Sequence, residues 1–336
     1  MRNKYRLAFD IGGTFTDFVL YDPYNNKIML NKCLTTPSNF SKGVINGIIE
    51  LLEFHKIDFN QINQIVHGTT LVSNTIIERT GSKVGLLTTD GFRDILEIGR
   101  EQRYDIHDLF LEFPKPLVER DLCIDVKERI GRDGQVIKSL DQNSLISSLS
   151  KLVLKGVESV AICFLHSYSN PSHEILAREV IFSKYPEIQV TISSEINPEL
   201  KEYERTSTTV ANAYVKPLMS KYIKSLEKYF FSSGFKGSFL LMQSSGGLSS
   251  PETAIEMPIR FLESGPAGGA QASSWIDQQV GGHHSVISFD MGGTTAKSCL
   301  ITNGNTELTS TLEAGRVHRF KKGSGLPIRS TTIDMI

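Results

Sequence analysis

Two short stretches of the sequence hold the residue types that bind phosphate groups and a divalent cation. They are Phe9-Asp10-Ile11-Gly12-Gly13-Thr14 and Phe289-Asp290-Met291-Gly292-Gly293-Thr294, set 280 positions apart. Paired glycines let the backbone come close to an anion and aim its N–H groups at it. The threonine hydroxyls can donate to phosphate oxygens, and a carboxylate such as Asp10 or Asp290 can hold a hydrated Mg2+. A single Gly-Gly turn is ordinary hairpin chemistry. Two copies, each with the same acid ahead of the turn, point to phosphate and metal binding. The copies diverge where Thr16-Asp17 is matched by Ala296-Lys297. Lys297 has two open readings: a cation that stabilises charge on a transferred phosphoryl group, or a solvated strand residue.

The elements that must position these residues follow from the flanking pattern. Leu7-Ala8-Phe9 and Phe18-Val19-Leu20 bracket the first stretch, and Val286 to Phe289 and Cys299-Leu300-Ile301 bracket the second. Each reads as strand, Gly-Gly turn, strand. Residues 5–34 are expected to form two or three antiparallel strands. A helix follows to about Lys56, capped by Ser38 or Ser41, with Val44, Ile48, Leu51 and Leu52 on its apolar face. Strands are expected near 62–67, 84–88, 159–165, 189–193 and 237–242, and helices near 71–79, 90–100, 141–154 and 171–184. His67-Gly68-Thr69-Thr70 reads as a turn into a helix. Residues 198–230 read as a long helical stretch broken or kinked near Pro217. Glu263-Ser264-Gly265-Pro266 opens another helix, and a third strand of the second hairpin is expected near 307–312.

The order β-β-β-α-β-α-β, followed by a restart of the same hairpin, is the pattern of a duplicated α/β fold. Three regions are expected: 1–195, 196–282, and 283–336 as the start of a second lobe. A few hairpin strands do not bury a core alone. The expectation is therefore a fragment, or a chain whose missing lobe comes from another polypeptide.

Composition bounds the function classes. The 336 residues carry a net charge of −1, with 40% apolar and 22% charged residues. That balance argues against a general nucleic-acid or membrane-surface binder. No apolar run approaches a membrane span, and the first strand starts too early to leave room for a signal peptide. Cys33, Cys123, Cys163 and Cys299 are scattered, so neither a disulfide framework nor a zinc site is expected, and a reducing cytoplasm fits.

The duplicated Asp-x-Gly-Gly-Thr resembles the two phosphate motifs of the actin, hexokinase and heat-shock-chaperone ATPases. A narrower resemblance rests on more motifs. They include His67-Gly68-Thr69-Thr70, Asn74-Thr75, residues 85–94 (Gly-Leu-Leu-Thr-Thr-Asp-Gly-Phe-Arg-Asp), Ile98-Gly99-Arg100 and Arg103-Tyr104-Asp105. Phe164 to Tyr168, Glu202-Tyr203-Glu204-Arg205, Asn212-Ala213-Tyr214, Ser244-Ser245-Gly246-Gly247 and Glu263 to Gly269 complete the set. In this order they resemble the ATP-using A-type subunit of the hydantoinase/5-oxoprolinase family, which includes acetone carboxylase relatives. The resemblance implies an actin/hexokinase-like (ribonuclease H-like) ATPase fold, with the first lobe complete and the second only begun.

It further implies that Asp10 and Asp290 face Mg2+ and the phosphates of ATP. Gly12, Gly13, Thr14 and Thr16 would bind phosphate from one side, and Gly292, Gly293, Thr294 and Thr295 from the other. The activity implied is phosphorylation of a carbonyl, in a cyclic amide such as 5-oxoproline or a hydantoin, or in a ketone. A B-type subunit would then complete the reaction. An unstrained amide oxygen is a poor leaving group, and phosphorylation makes it a good one. His67, Gly68, Thr69, Thr70, Asn74, Arg100, Arg103 and Asp105 are candidates for the substrate cleft, with Glu263, Ser264, Gly265 and Pro266 as a hinge or phosphate-side segment.

Plainer readings stand beside these. His67 can be a hydrogen-bonded turn residue, and Thr69 or Thr70 a helix cap. Arg100, Arg103 and Asp105 can be a solvated charge cluster, and Ser264-Gly265-Pro266 a tight turn. Two rival functions also remain: a truncated, non-catalytic family member, inactive as an isolated chain, and a different kinase or regulatory ATPase of the wider superfamily.

Overall fold

The computed structural model describes residues 5–37, 39–291, 296–318 and 321–336. The chain forms two compact units. One comprises Met1–Asn74, Met219–Ser310 and Thr331–Ile336, and the other Thr75–Leu218 and Thr311–Ser330. These units cut across the linear boundaries expected at 195 and 282, because strand pairing joins segments far apart in sequence.

The first unit is built on a six-stranded sheet. Its order is Leu248–Ser249, Ser238–Met242, Ile62–Thr69, Tyr5–Ile11, Phe15–Asp22 and Lys27–Leu34. The last three form an antiparallel meander, while Tyr5–Ile11, Ile62–Thr69 and Ser238–Met242 run parallel. Alternation sends Leu7, Phe9, Ile11, Phe18 and Leu20 to one face, where all are buried. The helix Phe40–His55 belongs to this unit, with Val44, Ile48, Leu51 and Leu52 buried. Its cap is Asn39, whose side chain accepts from the Lys42 N–H. Ser41 lies inside the helix, and Ser38 lies outside the described residues. Gly47 permits close packing: a Cβ there would stand 2.4 Å from the Phe18 ring.

The second hairpin, Ser285–Met291 with Ala296–Thr302, belongs to the same unit. Val286, Cys299 and Ile301 pack against Ala267 and Ala270 of the helix Ser264–Gln279, together with Ile333 and Met335. Its third strand is the short Asn305–Thr306 rather than residues 307–312. Asn303 and Gly304 both have positive φ, so a tight hairpin reverses the chain at once. The strand Leu308–Ala314 pairs with Leu326–Ile333 instead.

The second unit holds a four-stranded parallel sheet of order Gln189–Ile192, Ser159–Cys163, Val84–Thr89, Cys123–Val126. Every residue of Val84–Thr89 and Ser159–Cys163 is buried, as expected of a sheet covered on both faces. Helices Gln142–Leu154 and Ser172–Lys184 belong to it. The helix expected over 90–100 is reduced to Ile95–Ile98, since Gly91 and Gly99 both take positive φ. Of the break or kink expected near Pro217, the break does not occur: Glu202–Ser232 is one helix with Pro217 inside it. Among the described residues no helix is long and apolar enough to cross a membrane.

Candidate functional site

Asp10 stands near the end of its strand, opposite Asp17 in the hairpin and Gly68 on the parallel strand. Its Oδ1 is buried and has no hydrogen-bond partner among the described residues. Two glycines make the niche. A Cβ on Gly68 would lie 2.7 Å from Oδ1, and one on Gly265 would lie 3.1 and 3.3 Å from the two carboxylate oxygens. Burial, then the charges of Asp17 and Asp290, push the Asp10 carboxyl up to about 6. A buried anion without a donor is a costly arrangement unless a cation or a proton completes it.

The neighbouring segments hold this niche in place. Ser264 Oγ accepts from the Thr69 N–H at 2.7 Å and donates to the Thr69 carbonyl at 2.9 Å. Thr69 Oγ1 caps the next helix at the Leu71 N–H, and Thr70 Oγ1 donates to the Ile11 carbonyl. Asn74 donates to Thr70 Oγ1 at 3.2 Å. Asp290 lies opposite Lys297 in the second hairpin, and Lys297 Nζ reaches Glu263 Oε1 at 3.1 Å. Lys297 is thus half-buried in an ion pair rather than solvated. Pro266 is buried in the first turn of the helix that Glu263 precedes.

Other candidates lie elsewhere. Gly13 and Thr14 are exposed at the first turn, which Gly12 closes by donating to the Phe15 carbonyl. Thr16 is buried on the opposite face from Asp10, and its hydroxyl meets Thr35 at 3.1 Å. His67 is not in a turn: it lies within the strand Ile62–Thr69 and is wholly buried, stacked on Phe9 with ring centroids 4.3 Å apart. Its Nε2 meets the Tyr222 hydroxyl at 2.9 Å and its Nδ1 faces the Phe9 carbonyl. These partners fit a neutral ring protonated on Nδ1. Burial takes its pKa down to about 3. Gly292, Gly293, Thr294 and Thr295 lie outside the described residues.

Arg100, Arg103 and Asp105 belong to the second unit. Arg100 pairs with Glu204 at 2.7 Å, Arg103 donates to the Asp108 carbonyl, and Asp105 is ion-paired with Lys321. Arg100 and Arg103, with Tyr104, Phe113, Tyr203 and Lys322, line a cavity of about 780 Å³. Sequence reasoning missed Asp17 and Tyr222. Hairpin register arithmetic could have found Asp17; Tyr222 lies 155 residues from His67 and left no local signal.

The sequence matches the family model "Hydantoinase/oxoprolinase N-terminal region" over residues 6–184 and "Hydantoinase/oxoprolinase" over 205–335. The chain belongs to the hydantoinase/oxoprolinase family. Within this family it is 46% identical to an uncharacterised protein of Methanocaldococcus jannaschii, over 98% of this chain and 49% of that one. It is 35% identical to the caprolactamase subunit alpha of Pseudomonas jessenii, over 92% of this chain and 45% of that subunit. The crystal structure of the ATP-dependent caprolactamase from the same organism superposes with a TM-score of 0.85 at 33% identity, over 99% of this chain and 47% of that chain. A nucleotide-free structure of acetone carboxylase, from work on ATP-dependent acetone carboxylation, gives 0.87 at 26%, over 100% and 48%. The mixed α/β fold with parallel sheets is shared with both. The chain spans about half the length of these relatives.

Proposed function

We propose that this chain is the ATP-using component of a cyclic-amide hydrolase, and that its role is to phosphorylate the substrate carbonyl. The observation that carries this reading is the glycine-cradled Oδ1 of Asp10, unpartnered among the described residues and set near Asp290 in a family with ATP-dependent members. The residues fit Mg2+. Oxygen donors of high charge suit this hard cation, and Asp10 and Asp290 would hold it. When bound, the ion would offset charge on the ATP phosphates.

The chain's own groups do the rest. In the turn that Gly12 closes, the exposed Gly13 and Thr14 offer N–H and hydroxyl donors to phosphate, and Gly292, Gly293, Thr294 and Thr295 are assigned the matching role. The amide oxygen attacks the γ-phosphorus and ADP leaves. Water then adds at the ring carbon, and the C–N bond breaks with the nitrogen leaving as a protonated amine, which gives an acyl phosphate. A second water attacks that acyl carbon, releasing phosphate and the carboxylate. A B-type subunit supplies this second stage. The three-strand meander beside two parallel strands supports the actin/hexokinase-like reading of the first unit. Arg100 and Arg103 are kept as substrate-cleft candidates because they line a cavity. The free cysteines support a reducing, cytoplasmic setting. A ketone substrate is the second reading, favoured by the likeness to acetone carboxylase.

Carbonyl labelling tests the proposal. A lactam with 18O in its carbonyl, turned over with Mg-ATP by the assembled enzyme, should place 18O in the released phosphate. Unlabelled phosphate at full turnover would rule out carbonyl phosphorylation.

A further inference from the structure

Two buried polar side chains adjoin the strand that carries Asp10. His67 is 0% exposed and Tyr222 4%. Burying such a pair costs desolvation, and two apolar rings of the same shape would fill the space at little loss of stability. What a hydrogen-bonded pair adds is a fixed geometry.

The bonds have a definite direction. A carbonyl only accepts, so the His67 Nδ1, 3.4 Å from the Phe9 carbonyl, carries the proton. In a neutral ring Nε2 is then the acceptor, and the Tyr222 hydroxyl donates to it at 2.9 Å. Burial, then the charge of Asp10, holds the Tyr222 phenol well above its usual range, so it stays a donor. Tyr222 is itself anchored in the helix Glu202–Ser232, where its neighbours Met219, Ile223 and Leu226 are all buried.

Both backbone segments that this pair touches belong to the niche. Phe9 stacks on His67 and precedes Asp10 in its strand. Gly68 follows His67 and lies opposite Asp10 in the parallel pair, where a Cβ would stand 2.7 Å from Oδ1. A change in the His67 ring therefore acts on the carboxylate's strand and on the wall facing it at once. A misplacement of about 1 Å in such a site costs on the order of 100-fold.

We infer that Tyr222, acting through His67, is a positioning residue for Asp10: it fixes the imidazole tautomer that holds the Phe9 carbonyl, and so sets the Asp10 carboxylate against Gly68 for a divalent cation. The histidine of His67-Gly68-Thr69-Thr70 thereby gains a task other than substrate contact. This inference rests on the proposed reading of Asp10 as the cation's carboxylate.

The test uses the full chain. Nitrogen NMR of histidine-labelled protein should show His67 as a neutral ring protonated on Nδ1, its signal identified by its loss in His67→Asn, and Tyr222→Phe should turn it into a mixture of tautomers. Paramagnetic resonance of Mn2+ with ATP then reads the niche. Tyr222→Phe should weaken Mn2+ binding at least tenfold. The double variant His67→Asn/Tyr222→Phe returns an amide donor to the Phe9 carbonyl without needing a partner for Nε2, and should recover at least threefold. Leu51→Ala, a buried change on the helix Phe40–His55 of the same unit, controls for lost stability and should leave the affinity within twofold. The inference is overturned if Tyr222→Phe stays within twofold of the unchanged chain, if the double variant binds no tighter than Tyr222→Phe, or if Leu51→Ala weakens binding as much. An unchanged chain that binds no Mn2+ counts against the functional reading. The positioning role is then decided by amide exchange at Asp10 and Gly68, which Tyr222→Phe should speed at least tenfold and Leu51→Ala should not; equal effects of the two variants would overturn it.

Discussion

Asp10 sets binding against stability. Its folded pKa, about 6, lies above the ordinary 3.8. Between those values the folded state holds more protons than the unfolded state, so stability falls as pH rises through this window. A difference of that size corresponds to about 3 kcal/mol at most. Without Mg2+, Asp10→Asn should raise stability by about 1–3 kcal/mol at pH 7.5, with little difference near pH 4. The same variant should lose Mg-ATP binding, measured by calorimetry. An unchanged melting temperature at pH 7.5 would show that the carboxylate is already compensated. His67 works in the other direction. Its folded pKa, about 3, lies below the usual 6.5, so its contribution is intact above pH 6.5 and is lost as pH falls toward 3. His67→Phe should flatten that acid limb in unfolding titrations.

At the scale of elements, two contacts decide whether the strands and helices of the first unit meet. Ser264 ties the start of its helix to Thr69 through two hydrogen bonds. Ser264→Ala leaves a buried N–H and carbonyl unmatched and should cost about 1–3 kcal/mol in denaturant unfolding. It should also loosen the Asp10 niche, because the adjacent Gly265 forms one wall. Gly47→Ala drives a methyl into the Phe18 ring and should cost about 1–3 kcal/mol by overpacking. The hairpins were legible because period-two alternation reports which side of a strand is buried, and the strands covered on both faces because they read as short continuous apolar runs. Residues 90–100 misled because Gly91 and Gly99 leave the helical region at both ends, which propensity alone does not weigh. The fate of residues 307–312 turned on the Asn303-Gly304 hairpin, a local signal passed over.

In the whole molecule the second unit is an insertion, entered after Asn74 and left at Leu218, with a later return over Thr311–Ser330. It holds the wholly buried Arg205, which donates to the Phe164 and Glu199 carbonyls. Separate cores predict separable unfolding. Scanning calorimetry should resolve two transitions, with Gly47→Ala lowering one and Arg205→Ala the other. A single transition moved equally by both changes would show one cooperative unit.

The sequence by itself determined the duplicated hairpin, the Asp10 and Asp290 positions, the α/β class and the family, since each is written in local spacing. It did not determine which way the threonines face, that His67 is sealed against Tyr222, or that Asp10 keeps an oxygen unpaired among the described residues between Gly68 and Gly265. Those outcomes depend on register and on contacts across more than a hundred residues. Burial and electrostatics act through distance in space, which only the folded chain sets.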